Sequence, residues 1–310
     1  VMHSRLNIRE IGVPDKASTC AIIVTHHPDP EFQQGFAKIV DQVACVVIVD
    51  NASNSREKNI LRSLARGNKA VLIENPRNLG SARALNQGMN QAIEQGYSWA
   101  LTLDQDSQPE SDLILHLAEI YLSHPRREEI GVIGAIGSRP KYRRTTSRYS
   151  DEPFLYREVE VVITSGSLLI VPVFRHVGPF RDDFFIDQVD HEYCLRLRAQ
   201  GYRVLRSSKP LMRHAVGVPT RHCFLGIRLT CSNHSPIRRY YITRNRLALY
   251  REYMCKDTYW IMRDLGHNWR ECMKILLFED RKCQKLLSTL LGCCHAIIGR
   301  MGKLQHPSWE

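Results

Sequence analysis

The chain is poor in the features that mark several protein classes outright. None of its ten cysteines stands in a Cys-x-x-Cys pair, so a cysteine zinc site has no ligand set of the usual spacing. Seven of them (Cys223, Cys231, Cys255, Cys272, Cys283, Cys293 and Cys294) crowd the last third, and free thiols in a reducing cytosol are the expected state. There is no Walker pattern and no Gly-x-Gly-x-x-Gly, which removes support from kinase-like and dinucleotide-binding readings. The opening stretch VMHSRLNIREIG has no apolar centre, so no signal peptide is expected. The longest late uncharged run, LLSTLLGCCHAIIG over 286–299, has fourteen residues; that is short for a membrane span and the right size for a core or an interfacial helix. Internal repeats and low-complexity segments are also missing.

What is present is a globular chain of 310 residues with 43% hydrophobic residues, ample for a buried core. Its formal charge of +11 first suggests nucleic acid or an anionic membrane, but the distribution says more. Residues 1–207 carry 25 basic and 25 acidic side chains, while residues 208–310 carry 18 and 7, the whole of the excess. The body is neutral and the last third is basic.

Apolar runs of strand length recur with helix-like segments between them: CAIIVT at 20, VACVVIVD at 43, AVLIE at 70, WALTLD at 99 and IGVIGAIG at 130. Helical spacing fills 31–40, 54–66, 80–95 and 109–124. Such alternation predicts an α/β fold, a parallel sheet covered by helices, with ligands gathered at the carboxyl ends of strands. Residues 138–157, rich in Arg, read as an exposed loop; VEVVITSGSLLIVPV reads as strand, Gly turn, strand. Beyond 235 the pattern is helical. The expected division is therefore 1–235, the α/β body, and 236–310, a basic, mainly helical region.

Three strand ends carry chemistry. After WALTLD come Asp104 and Asp106; a strand ending in Asp-x-Asp would send both side chains to one side, where the like charges call for a cation, and hard oxygen donors suit Mg²⁺ or Mn²⁺. A helix beginning near Pro109 and capped by these acids explains the same residues without a ligand. At the end of VVIVDNAS, Asp50, Asn51 and Ser53 suit either a ribose or base contact or an N-cap cluster. In NPRNLGSARALNQG, Gly80 and Ser81 open a helix whose free N–H groups, with Arg83 nearby, suit an anion; a plain turn is the alternative. FFIDQVDHEYCLRLRAQGY reads as a helix with an acidic first turn, in which Asp190 is a candidate general base. His214 in PLMRHAVG is either a third metal ligand or structural.

In this order, IIVTHHP, VVIVDNAS, NLGSARALNQG, LTLDQDS, TSGSLLI, FFIDQVDHEYCLRLRAQGY, LMRHAVG and RRYYITRNRLALYREY resemble the inverting, nucleotide-sugar-dependent glycosyltransferases of family 2, over residues 20 to about 250. LDQDS and FIDQVDHEYCLR are most similar to bacterial rhamnosyltransferases that build O-antigen and related polysaccharides from dTDP-L-rhamnose. The resemblance implies a GT-A fold, with a mainly parallel sheet and helices on both faces. It implies a base and ribose pocket from Thr25, His27, Pro28, Asp50, Asn51 and Ser53, a donor site lined by Asn78, Gly80 and Asn86, and Asp104 facing the nucleotide. Asp106, with His214, would hold Mg²⁺ or Mn²⁺, and Ser165, Gly166 and Ser167 would form a sugar or acceptor loop. Asp190 matches the catalytic base, although Val189 stands where the family usually has Glu, and Asp187 is a second candidate. The acceptor implied is a saccharide on a polyprenyl diphosphate, handled by a cytoplasmic enzyme with its basic third at the inner membrane surface and no nucleic-acid partner. Two rivals remain. A sugar-phosphate nucleotidyltransferase would carry a basic Gly-rich loop after the first strand, where IIVTHHPDPEF has none; a basic adaptor protein would leave Asp106 and Asp190 without work.

Overall fold

The computed structural model describes residues 6, 11–67, 69–138, 154–213, 220–224 and 227–305. The chain forms two compact units, residues 1–181 with 190–214, and residues 182–189 with 215–310.

The first unit is built on β1 (Thr19–Thr25), β2 (Cys45–Asn51), β3 (Ala70–Asn75) and β4 (Trp99–Asp104), joined by α1 (Phe32–Val40), α2 (Ser55–Gly67) and α3 (Ser81–Glu94). β1 and β2 are apolar on both faces and almost wholly buried, as strands in the middle of a parallel sheet must be. β3, at the sheet's edge, is only half-buried. The remaining strands are β5 (Gln108–Pro109), β6 (Ile130–Ser138), β7 (Tyr156–Glu158), β8 (Ser167–Ile170) and β9 (Arg203–Arg213), with α4 (Leu113–Ser123), α5 (Val171–Val177) and α6 (Val189–Ala199). They make one nine-stranded sheet in the order β3-β2-β1-β4-β8-β6-β9-β5, with β7 also paired to β9. The longer ladders, β1 with β2 and β4, β2 with β3, and β6 with β9, are parallel; β8 runs antiparallel between β4 and β6.

That order places the site. The chain winds outward from β1 through β2 to β3, then crosses back to add β4 on β1's other side. Between β1 and β4 the winding reverses, and in parallel sheets a crevice for ligands opens at the carboxyl ends there. The ends are level: Val24 pairs with Asp104, Thr25 with Asp50, and Asn51 with Asn75.

Several local expectations change. Pro109 does not start a helix; Gln108 and Pro109 pair with Arg213 and Met212, and α4 begins four residues later. An edge pairing suits proline, which has no N–H to give a ladder. The stretch 159–163 is not a strand, and VPV opens α5 with Pro172 in its first turn, where the missing N–H costs nothing. Of the Arg-rich loop, 139–153 lie outside the described residues, while Tyr156–Glu158 is a strand. All ten cysteines are free thiols.

The second unit contains a hairpin absent from the sequence reading, β10 (Thr220–Phe224) paired with β11 (Ile227–Cys231), then three helices, α7 (Pro236–Tyr253), α8 (Thr258–Phe278) and α9 (Lys282–Ile297). Buried polar groups hold it as much as apolar ones. Arg244, fully buried, donates to the carbonyls of Asp183, Phe184 and Gly302, and Asn245 donates to those of Phe184, Ile186 and Asp187. This clamp fixes a segment with positive φ at Phe185, Asp187 and Gln188, a conformation that non-glycine residues keep only where the surroundings over-determine it. Glu279, buried, accepts from Arg239 at 3.0 Å and from Lys285 at 2.8 Å. Among the described residues no helix is long and apolar enough to cross a membrane.

Candidate active site

At the end of β1 and β2, Asp50 is fully buried and acts as a hub. It accepts from the Thr25 hydroxyl at 3.1 Å, from the Ser53 N–H at 3.0 Å, and from the Ser53 hydroxyl. Three internal donors on one carboxylate fix the wall of the crevice. The groups this wall exposes belong to its neighbours. His27, with φ 51°, gives its N–H to Ser53 Oγ (2.9 Å) and sets its ring against Glu57 (2.7 Å); Pro28 follows, half-buried. His26 gives its N–H to Gln105 Oε1 at 2.7 Å, which ties the loop after β1 to the loop after β4.

Amides hold the second wall. Asn51 Oδ1 accepts from Asn75 Nδ2 (3.0 Å) and Leu79 N–H (3.3 Å), and its Nδ2 donates to the Gly80 carbonyl (3.0 Å). Asn78 Oδ1 accepts the Gly80 N–H at 2.9 Å, and Gly80, at φ 90°, leads into α3 with no side chain capping that helix. Further along α3, Asn86 exchanges two hydrogen bonds with the Phe180 backbone, 2.8 and 2.9 Å.

The acidic pair departs from its expected geometry. β4 ends at Asp104; Gln105 and Asp106 form a turn closed by the Ser107 N–H on the Asp104 carbonyl (3.1 Å), so strand alternation does not relate the two side chains. Asp104 is exposed and Asp106 half-buried. The turn is braced from below. Ser165 Oγ accepts the Asp104 N–H (3.2 Å) and lies 2.5 Å from Ser107 Oγ, while a Cβ on Gly35 of α1 would sit 2.3 Å from the Ser107 carbonyl. Only glycine lets α1 pack that close.

Ser165 and Ser167 are buried, and Ser167 Oγ donates to the Ile163 carbonyl at 2.6 Å. Gly166, at φ 78°, hydrogen-bonds Thr102 and Ala135 through its backbone, and a Cβ there would lie 2.5 Å from Met212 Sδ. This turn therefore supports the acidic loop from inside. His214 lies outside the described residues.

Asp190 lies in the first turn of α6. Its Oδ1 accepts the His191 N–H at 2.8 Å and faces His191 Nδ1 at 2.9 Å; Oδ2 makes no hydrogen bond within the described residues. Burial pushes the carboxyl's pKa up, but the charge and hydrogen bonds of His191 outweigh it and hold Asp190 below the ordinary value, ionised at neutral pH. In the second unit, Asp187 is occupied: Arg238 grips both its oxygens, at 2.5 and 3.2 Å.

The donor set fits a hard divalent cation. Among the described residues no group of three or more His, Cys, Asp or Glu could hold a metal, so these residues offer two carboxylates at the crevice and no complete cage. One or two carboxylates completed by substrate phosphates and water is the usual arrangement for Mg²⁺.

Sequence reasoning missed the supporting residues, namely Gln105, Ser107, Glu57 and His191. Only contacts distant in sequence reveal the first two; His191, adjacent to Asp190, was in plain view.

A sheet whose winding reverses between β1 and β4, with an acidic loop at that point, is the layout of the α/β folds that take ligands at such a crevice. Comparison with known proteins narrows this. The family model described as Glycosyl transferase family 2 matches residues 20–178. The dTDP-rhamnosyl transferase RfbF of Shigella flexneri is 31% identical over 249 residues, 75% of this chain and 79% of that protein. Among solved structures, the Pyrobaculum calidifontis mannosyltransferase PcManGT, in complex with GDP-Man and Mn²⁺, matches with a TM-score of 0.55 at 14% identity, covering 93% of this chain and 76% of that one. Staphylococcus aureus TarS (1-349), in complex with UDP-GlcNAc, matches with a TM-score of 0.53 at 14% identity, covering 74% and 66%. The chain belongs to glycosyl transferase family 2. It is a glycosyltransferase with a GT-A-like fold.

Proposed function

We propose that the protein transfers L-rhamnose from dTDP-L-rhamnose, with inversion, to a saccharide carried on a polyprenyl diphosphate, as in assembly of O-antigen or a related surface polysaccharide. The likeness to the Shigella dTDP-rhamnosyl transferase carries the choice of donor. In this reading the thymidine lies against the loop of Thr25, His27 and Pro28 and the wall of Asp50, Asn51 and Ser53. Asn78 and Gly80 face the ribose and phosphates, with Asn86 behind them, and Asp104 faces the nucleotide. Asp106, joined by His214, would hold Mg²⁺ or Mn²⁺, whose contribution is to neutralise charge on the departing diphosphate.

Asp190 is the base. Its Oδ2 takes the proton of the acceptor hydroxyl as that oxygen bonds to the anomeric carbon; the bond from that carbon to the phosphate oxygen breaks, and dTDP leaves from the opposite face. Asp190 is preferred to Asp187 because Arg238 already holds both Asp187 oxygens. The turn of Ser165, Gly166 and Ser167 serves the sugar site by holding the acidic loop in place.

The test is to incubate the pure protein with dTDP-rhamnose, UDP-sugars and GDP-mannose, each with Mg²⁺ or Mn²⁺, and measure release of free nucleotide. Release from dTDP-rhamnose alone is expected. The specific rival, another donor of the kind bound in the two structural neighbours, wins if a UDP- or GDP-sugar is consumed and dTDP-rhamnose is inert.

A further inference from the structure

One helix of the second unit, α9, is inverted with respect to an ordinary amphipathic helix. The buried residues of α9 are Lys285, Ser288, Gly292 and His295. Lys285 reaches Glu279, His295 Nδ1 is 2.7 Å from the Tyr240 hydroxyl, and at Gly292 the helix packs so close to α7 that a Cβ would lie 2.8 Å from the Tyr240 carbonyl. The opposite side is apolar and faces out: Leu287, Leu290, Ile297 and Ile298 are 58, 61, 76 and 69% exposed. α8 buries Trp260, Ile261 and Ile275 together with Asp264, which meets Tyr250 and Arg246, and still shows an apolar set outside: Tyr259, Met262 and Trp269 are 72, 65 and 68% exposed. Scattered exposed apolar residues are ordinary, but apolar stripes at helical spacing on two successive helices, on α9 opposite a polar buried face, have no covering partner among the described residues.

Charge says what covers them. All residues from Lys256 to Gln305 are described, and Asp280 is the only exposed acid among them; Asp264 and Glu279 are buried, Glu271 is paired with Lys274, and Asp257 caps α8. Arg270, Arg281, Lys282, Arg300 and Lys303 are exposed. A second copy of this surface would set like charges against each other. An anionic bilayer offers hydrocarbon to the stripes and phosphates to the cations.

We propose that α8 and α9 dock the protein on an anionic lipid surface, with the exposed apolar stripes at headgroup level and the surrounding Lys and Arg on lipid phosphates. This adds a partner to the donor and acceptor and does not depend on which sugar is transferred.

Flotation of the full chain with phosphatidylcholine vesicles, with and without phosphatidylglycerol, tests it. The wild type should float with the anionic vesicles, far less with neutral ones, and less as salt rises. Replacing Leu287 and Leu290 together by Asp should weaken binding about tenfold or more. Arg300→Gln, which leaves the stripe intact, should cost about fivefold, or about 1 kcal/mol. Circular dichroism shows whether the exposed substitutions leave the fold intact. Equal flotation of wild type and the double variant, or wild-type binding indifferent to phosphatidylglycerol, overturns the proposal. So does a wild-type dimer that the double variant splits while neither protein floats, for then a second copy covers the face.

Discussion

Asp190→Asn is the substitution with the most definite expected outcome. Asp190 Oδ1 takes both hydrogen bonds from His191, and in the proposed mechanism Oδ2 would take the acceptor's proton. Asparagine keeps one carbonyl oxygen in place for the His191 N–H and puts an NH₂ where a proton must be accepted. The change is therefore local, and donor affinity should hold. Turnover should not, because a positioned base contributes about 10²–10⁴-fold, or roughly 2.7–5.5 kcal/mol of barrier at 1.36 kcal/mol per decade. The assay is release of dTDP in the presence of a saturating acceptor, with donor binding measured in parallel by calorimetry. A fall in kcat of that size at unchanged donor Kd is expected. Turnover within about threefold of wild type, well short of a base's contribution, would remove Asp190 from the role.

His191→Ala should move the acid limb of kcat/KM to higher pH: the proposed base must be ionised, and with the imidazole's charge and hydrogen bond gone, burial is opposed only by backbone N–H groups and pushes the Asp190 pKa up. A limb that stays in place rejects His191 as the cause. Asp106→Ala should weaken metal-dependent dTDP binding about tenfold or more, read by calorimetry with and without Mn²⁺; unchanged metal dependence argues against this ligand. Glu279→Gln leaves Arg239 and Lys285 buried without their shared counter-charge and should cost about 3–5 kcal/mol of stability in urea unfolding. Burial pushes Glu279's pKa up, but Lys285 and Arg239 bring it below the ordinary 4.5. Its contribution is thus complete above pH 4.5 and lost as pH falls through the folded value, so wild-type melting temperature should drop there more steeply than that of the variant.

The parallel half of the sheet was legible because strands buried on both faces must be continuous apolar runs, and β1, β2 and β4 are such runs. β5, β7 and the hairpin of β10 and β11 were not, since two to five residues are too few for a period to register. The candidate residues stood out as acids and amides at strand ends. How each is used did not, because use depends on partners far away in sequence: Asp50 is enclosed by Thr25 and Ser53, Asn86 is bound to the Phe180 backbone, and Ser165 faces inward to Ser107. The acidic loop is the instructive instance. Period-two alternation predicted two carboxylates on one face, but the strand stops at Asp104 and a turn carries Asp106, so whatever relates the two carboxylates comes from the turn and its Ser165 and Gly35 supports.

The last third shows the limit of periodicity from the other side. The run 286–299 repeats its apolar residues at helical spacing, and a pattern of that kind locates one face of a helix without saying whether that face meets the core. In α9 the core side is taken by Lys285, Ser288, Gly292 and His295, because α7 presents Tyr240 there and Glu279 waits beyond the turn. A polar interior of this kind is specified pair by pair, each donor needing its acceptor, and releases the apolar residues to the outside. The charges that made this region look merely basic are sorted by the fold: between Lys256 and Gln305, Asp264 and Glu279 are buried, Asp257 and Glu271 half-buried, and Arg270, Arg281, Lys282, Arg300 and Lys303 exposed. Net charge alone could not reveal that sorting, yet it decides which kind of surface the two helices are built to meet.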